Sequence, residues 1–218
     1  METAPKAEWR RRGCMDSTTW FDLVDLFGVF SGALTGALVA RRFGFDIAGL
    51  WGLALVSGLG GGLIRDVLLQ AGPPLALVEP RYLPTVLVAT GVGALFGGRV
   101  DSLRRTILVA DAVAIAVFAV AGTLRSVDAG LGPWPAVLLG VITAVGGGLL
   151  RDILTGETPM VFRQGELYAF AAMGSSIAVV LCRELDTPRG LVILIGIAVG
   201  VALRLGSVRW GWTSWMPR

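Results

Sequence analysis

The chain has 218 residues, 54% of them hydrophobic and 16% charged, with a mean hydropathy of +0.72 and a formal net charge of +3. A water-soluble domain of this length carries roughly a quarter charged residues, so composition points to a polytopic helical membrane protein with no room for a separate soluble domain. Histidine is absent, which removes the commonest general base and transition-metal ligand.

Residues 1–21 read as a polar N-terminal tail, its first fourteen residues Arg-rich and disordered, with no apolar core of a signal peptide. Met15 is a natural start for a compact membrane protein. Seven apolar segments follow, predicted as membrane helices over 23–40, 47–69, 83–97, 107–124, 136–154, 167–181 and 191–205. The third and sixth are short for a hydrocarbon core of about 30 Å, so flanking residues complete them. Gly72-Pro73-Pro74 closes the second, Gly132-Pro133-Trp134-Pro135 precedes the fifth and Thr187-Pro188 precedes the seventh. Proline stops a helix or starts the next one at such places. Residues 209–218 form a C-terminal tail.

An internal duplication organises this series. Gly60-Gly61-Gly62-Leu63-Ile64-Arg65-Asp66 recurs as Gly146-Gly147-Gly148-Leu149-Leu150-Arg151-Asp152 at an offset of 86 residues. The same offset pairs Asp25 with Asp111, Gly36 with Gly122, Ser57 with Thr143, Pro73 with Pro159 and Tyr82 with Tyr168. The first repeat is placed at 22–98, the second at 107–184, and a seventh helix at 189–208 belongs to neither. Each repeat contains three spans, an odd number, so the second copy enters from the opposite side and the two are inverted.

The basic balance does not indicate nucleic acid. All but one of the 19 basic residues are Arg, Lys6 being the exception, and they are spread over loops and helix ends with no aromatic-interleaved patch. Cys14 and Cys182 form no CxxC pair and read as unrelated thiols. No metal site and no cofactor are expected. One side holds the loops after spans one, three and five and the C-terminus. It carries Arg41, Arg42, Arg99, Arg104, Arg105, Arg163, Arg209 and Arg218. The other side carries Arg81, Arg125, Arg183 and Arg189 besides the tail. With the tail set aside, the excess places the C-terminus in the cytoplasm of an inner-membrane, multi-pass protein.

Three consecutive glycines inside a membrane helix favour a kink or a short unwound stretch. Irregular backbone at that depth is tolerated only inside protein or beside water, and freed carbonyls can replace part of a cation's hydration shell. Close helix packing is the alternative use of Gly60, Gly61, Gly62, Gly146, Gly147 and Gly148. Scattered glycines such as Gly28, Gly32 and Gly36 read as packing. Arg65, Asp66, Arg151 and Asp152 either form charged vestibules at the two ends of a path or lock each helix to its neighbours. Adjacent residues lie about 100° apart on a helix, so the members of each pair need not touch. Asp25 and Asp111 are expected at the starts of spans one and four, stabilised by the helix dipole or attracting cations. Ser57 and Thr143 share a helix face with the first glycine of each triplet and either line the path or bond back to a carbonyl.

The paired GGGLIRD and GGGLLRD motifs, in seven spans with three-plus-three repeats and a final helix, resemble the trimeric intracellular cation channel family, most closely its prokaryotic members. The same sequence family is also known for a glycine-transporter domain. The resemblance covers about residues 22–206. It implies a homotrimer in the lipid bilayer, with one potassium- or sodium-permeable path in each protomer. That path is lined by the second and fifth spans, bent at Gly60–Gly62 and Gly146–Gly148, with Arg65, Asp66, Arg151 and Asp152 as the associated charges. Lipid gating through a lysine motif does not carry over, because Lys6 is the only lysine. Arg125 is the one basic residue available for the voltage-sensing position of the fourth span. A secondary transporter of a small zwitterion such as glycine suits inverted repeats equally. An enzyme does not, because neither HExxH nor GxSxG is present.

Overall fold

A computed structural model describes residues 15–96, 100–163 and 167–210. The expectations for the tail before Met15, including Lys6 and Cys14, and for residues 211–218 lie outside the described residues. Among those described, every regular element is helical. They are α1 (Met15–Arg42), α2 (Ile47–Leu69), a one-turn α3 (Leu75–Val78), α4 (Tyr82–Phe96), α5 (Val100–Asp128), α6 (Pro133–Leu154), a 3-10 turn (Met160–Phe162), α7 (Tyr168–Glu184) and α8 (Arg189–Trp210).

Local chemistry sets the ends. Asp46 caps α2 by accepting from the Gly49 N–H at 2.8 Å, filling one of the orphan donors of a first turn. The same helix stops where Gln70 turns left-handed, just before Gly72-Pro73-Pro74. Pro133 occupies the first turn of α6, where a missing N–H costs nothing. Pro74 and Pro159 then open the short turns that lead into α4 and α7, whose first residues, Tyr82 and Tyr168, are repeat partners.

Two long helices reach further back than hydropathy indicates. α1 begins at Met15 and α5 at Val100. Asp25 and Asp111 therefore lie well inside their helices, which corrects their expected place at helix starts. A dipole contribution fades beyond the first turn and does not account for these carboxylates. Polar first turns continue the helix outside the apolar window, so the hydrophobic run and the helix do not share a start.

α1 and α5 form the centre. Residues 114–121 of α5 are buried on all sides, the pattern of a core helix. α1 packs on α2, α4 and α5, while α5 packs on α6, α7 and α8. α2 and α6 pack against each other. Small residues permit these approaches. A Cβ added to Gly36 would come 2.7 Å from the Ser57 Cβ, and one added to its repeat partner Gly122 would come 2.7 Å from the Thr143 Cβ. Gly28 and Gly32 likewise face α5 and α2 closely, consistent with a packing role.

Contacts at the ends sort the termini. Arg81, just before α4, pairs with Asp22 of α1 at 2.8 Å, and Arg189 of α8 pairs with Asp128 of α5 at 2.7 Å. Arg41 donates to the Ala94 carbonyl of α4, and Arg42 lies 3.9 Å from Glu157 after α6. Such exposed pairs add little stability but report which ends are neighbours. Among the described residues, five helices are long and apolar enough to cross a membrane: 22–42, 47–69, 106–128, 133–154 and 189–210. A shorter apolar helix covers 82–95.

Candidate functional site

The two glycine triplets meet. A Cβ on Gly61 would fall 2.1 Å from the Thr143 carbonyl oxygen, and one on Gly147 would fall 2.2 Å from the Ser57 carbonyl oxygen. A Cβ on Gly146 would come 3.2 Å from the Gly61 Cα. α2 and α6 thus cross with backbone against backbone, and only glycine fits at Gly61 and Gly147. Both helices remain α-helical through their triplets. The expected unwinding is absent, because the facing helix occupies the space and the carbonyls stay within the helical pattern. The third glycines point elsewhere. Gly62 lies beside the Arg65 guanidinium, whereas a Cβ on Gly148 would sit 2.6 Å from the Tyr168 hydroxyl. Thr143 bonds back to the Leu139 carbonyl at 2.6 Å, the second of the two uses expected for a hydroxyl here. Ser57 is buried with its carbonyl at the crossing.

Beyond each triplet the charges close into a buried network. Arg65, 1% exposed, reaches Asp66 at 2.9 Å and Asp25 of α1 at 3.2 Å. Asp66 accepts the Leu75 N–H at 2.8 Å, which fixes the turn after α2. Tyr82 donates its hydroxyl to Asp25 Oδ2. Arg125 from α5 completes the cluster, 3.2 Å from Asp66. The second network copies the first: Arg151 reaches both Asp111 of α5 and Asp152 at 2.9 Å, and Asp152 accepts the Met160 N–H at 2.9 Å. Neighbouring Arg and Asp do touch, because an arginine stem is long enough to fold back across the 100° between them.

Removing one partner from such a buried pair costs about 3–5 kcal/mol, since the other charge is left uncompensated. Each network therefore fastens a helix end to α1 or α5. A cavity of about 10 Å³, room for one water, opens at the first network beside Asp25, Gly62, Arg65, Asp66, Leu75 and Tyr82.

The two networks are not identical. Among the described residues, Asp111 Oδ2 has no hydrogen-bond donor, although the equivalent oxygen of Asp25 takes the Tyr82 hydroxyl. Tyr168 instead lies under the guanidinium of Arg204 from α8, 5.0 Å from its ring centre, a cation–π distance. Arg204 is fully buried. Sequence reasoning passed over Tyr82 and Tyr168 as ligands and did not single out Arg204. The available signals were the repeat equivalence of the tyrosines and an ionisable residue within the last apolar run.

The fold and these networks define a duplicated helical protein of the membrane-spanning kind. A family model described as "Glycine transporter" matches residues 22–97 and 108–184. The UPF0126 membrane protein of Deinococcus radiodurans is 40% identical over 166 residues, covering 76% of this chain and 77% of that one. The UPF0126 inner membrane protein YadS of Escherichia coli is 34% identical over 193 residues, covering 88% and 91%. Among solved structures, the trimeric intracellular cation channel orthologue from Rhodobacter sphaeroides superimposes with a TM-score of 0.84 at 39% identity, covering 89% of this chain and all of that one. A prokaryotic TRIC channel crystallised in 0.5 M KCl gives 0.82 at 27% identity, covering 90% and 100%. The chain belongs to the prokaryotic trimeric intracellular cation channel family, the same family that carries the glycine-transporter description.

Proposed function

We propose that this protein is a monovalent cation channel of the bacterial inner membrane, permeable to potassium, and not an enzyme. The observation that carries this reading is the likeness to the Rhodobacter sphaeroides orthologue across its whole length. Seven spans form two inverted three-helix repeats, with α8 added. The end contacts support inversion. Asp22, Arg81, Asp128 and Arg189 gather at one end with the first charged network, while Arg41, Arg42, Ala94 and Glu157 gather at the other. The C-terminus faces the cytoplasm, and three copies assemble with one path in each.

α2 and α6 line that path. In the state described here they touch at Gly61 and Gly147, so conduction requires them to part. Leu150 of α6 seats against Gly60 and Ile64 of α2 against Gly146, so a bend at either triplet that separates the helices also withdraws these two side chains. Asp25, Arg65 and Asp66 flank one end of the path, and Asp111, Arg151 and Asp152 flank the other. Each end is polar enough to hydrate an arriving cation.

The family model's description favours one second reading, a transporter of glycine or a similar small zwitterion. Recording from purified protein in planar bilayers separates the two. A channel gives discrete cation-selective current steps. Smooth saturable glycine uptake, accelerated by preloaded glycine and without unitary currents, overturns the channel reading.

A further inference from the structure

The two copies hold the same five residues in different arrangements. Asp25, Gly62, Arg65, Asp66 and Tyr82 in the first correspond at the 86-residue offset to Asp111, Gly148, Arg151, Asp152 and Tyr168 in the second. In the first copy the tyrosine hydroxyl sits on its aspartate, Tyr82 donating to Asp25 Oδ2. The third glycine is then left open. A Cβ on Gly62 would meet only the Arg65 guanidinium, at 3.7 Å, and the cavity of about 10 Å³ opens beside Gly62, Asp25 and Tyr82. In the second copy the hydroxyl sits on the glycine, 2.6 Å from where a Gly148 Cβ would be. Asp111 Oδ2 is buried and takes no donor among the described residues. Each copy thus occupies the seat that the other leaves open.

We infer that Tyr168 is a gating residue with both seats available to it, and that its move from Gly148 to Asp111 frees α6 to bend. The inference rests on the channel reading above. On the glycine, Tyr168 packs against α6 and holds that helix straight beyond its triplet. On the aspartate, it is tied to α5, and the stretch after the triplet can bend beside a space the size of one water. The first copy already has this second setting, so α2 is ready and α6 is held. The way between the seats is short. Arg151 Nη2 lies 3.6 Å from the same Gly148 position, and Arg151 Nη1 holds Asp111 at 2.9 Å, so both seats border one guanidinium. The arriving hydroxyl supplies the donor that Asp111 Oδ2 lacks, and a buried acceptor without a donor is costly. The turns ahead of the two tyrosines differ as well. Asp66 takes the N–H of Leu75, nine residues on, whereas Asp152 takes that of Met160, eight residues on. One constellation found in two settings meets the requirement for a two-state gate.

Two experiments on the full-length protein test this. A crystal structure of Gly148→Ala reads the seats. The methyl fills the space at residue 148, so the Tyr168 hydroxyl should lie on Asp111 Oδ2, as Tyr82 lies on Asp25. A hydroxyl still beside residue 148, or displaced without reaching Asp111, overturns the two-seat assignment. Melting covers a Gly148→Ala protein too unstable to crystallise. Adding Tyr168→Phe should recover most of its loss, because the next tyrosine atom, Cζ, stands at 3.7 Å; no recovery overturns the seat at Gly148. Single-channel recording reads the gate. In Tyr168→Phe the ring still packs on α6, but the bond that only the conducting state makes is gone. Its open-to-closed ratio should fall at least about tenfold, the factor a hydrogen bond to a charged group supplies, while its melting temperature stays near wild type. An unchanged or raised ratio overturns the gating role, as does a fall in melting temperature with wild-type gating. A wild type without unitary currents instead overturns the channel reading, and the Gly148→Ala structure still judges the two seats.

Discussion

Replacing Gly61 with alanine sets two effects of opposite sign against each other. An alanine in a helix interior is favoured over glycine by up to about 1 kcal/mol. Here, however, the new Cβ would lie 2.1 Å from the Thr143 carbonyl oxygen, about 0.9 Å short of the 3.0 Å that such atoms keep. The obstacle is backbone on a second helix, which no rotamer change relieves, so α2 and α6 must separate along their crossing. Overpacking of this kind costs about 1–3 kcal/mol, leaving a net destabilisation of up to about 2 kcal/mol. Gly52→Ala is the control in the same helix, because a Cβ there meets nothing within 4 Å and the propensity gain stands alone. The propensity gain is common to both variants, and for a protein of this size each kcal/mol moves the melting temperature by about 2–4 °C, so the overpacking cost of about 1–3 kcal/mol should set them roughly 2–12 °C apart, with Gly52→Ala the higher. Adding Gly147→Ala to Gly61→Ala should cost less than the sum of the singles, since one displacement serves both. Thermal melting of the purified protein in detergent reads all of these. A Gly61→Ala protein as stable as Gly52→Ala would falsify the backbone-to-backbone crossing.

Four further outcomes follow from the same geometry. Tyr82→Phe removes a hydrogen bond to a buried carboxylate, worth about 1.5–3 kcal/mol, whereas Tyr168→Phe deprives Asp111 of nothing and should cost less; paired melting curves decide. Gly148→Ala pushes on the Tyr168 hydroxyl and should destabilise, while Gly62→Ala, facing only the Arg65 guanidinium at 3.7 Å, should melt near wild type. Arg65→Met should lower stability by about 3–5 kcal/mol, and Asp25→Asn in the same chain should restore part of it in a double-mutant cycle. Gly61→Ala and Gly147→Ala proteins that remain folded should lose most unitary current, because alanine stiffens the stretch whose bending opens the path and the small separation its methyl forces does not replace that bend; single-channel recording checks this.

Much of the architecture was legible before any coordinates, for reasons specific to particular residues. The span expected at 47–69 coincides with α2 to the residue, because Asp46 caps one end and Gln70 with Gly72-Pro73-Pro74 stops the other. The repeated triplets and Arg-Asp pairs marked both charged networks, since a duplication preserves what its packing requires. α1 and α5 were less legible: their polar first turns continue the helix outside the apolar window, which moved Asp25 and Asp111 from helix starts to mid-helix. Of the bend or short unwound stretch expected at the triplets, the unwinding is absent, because that expectation considered one helix at a time. The partner helix that fills the space at Gly61 and Gly147 is a tertiary feature, invisible in a single strand of sequence. Arg125 was not foreseen as a member of the first network because it is not repeated at the 86-residue offset, so the symmetry that revealed Asp66 did not reveal this partner.

The reversal potential of the purified wild-type protein under a tenfold potassium chloride gradient bears most directly on the claim of a cation path within this fold. A cation-selective path should drive the potential toward the limit of about 59 mV, with the sign set by potassium flowing down its gradient. A potential near zero, or of the sign set by chloride, would contradict it.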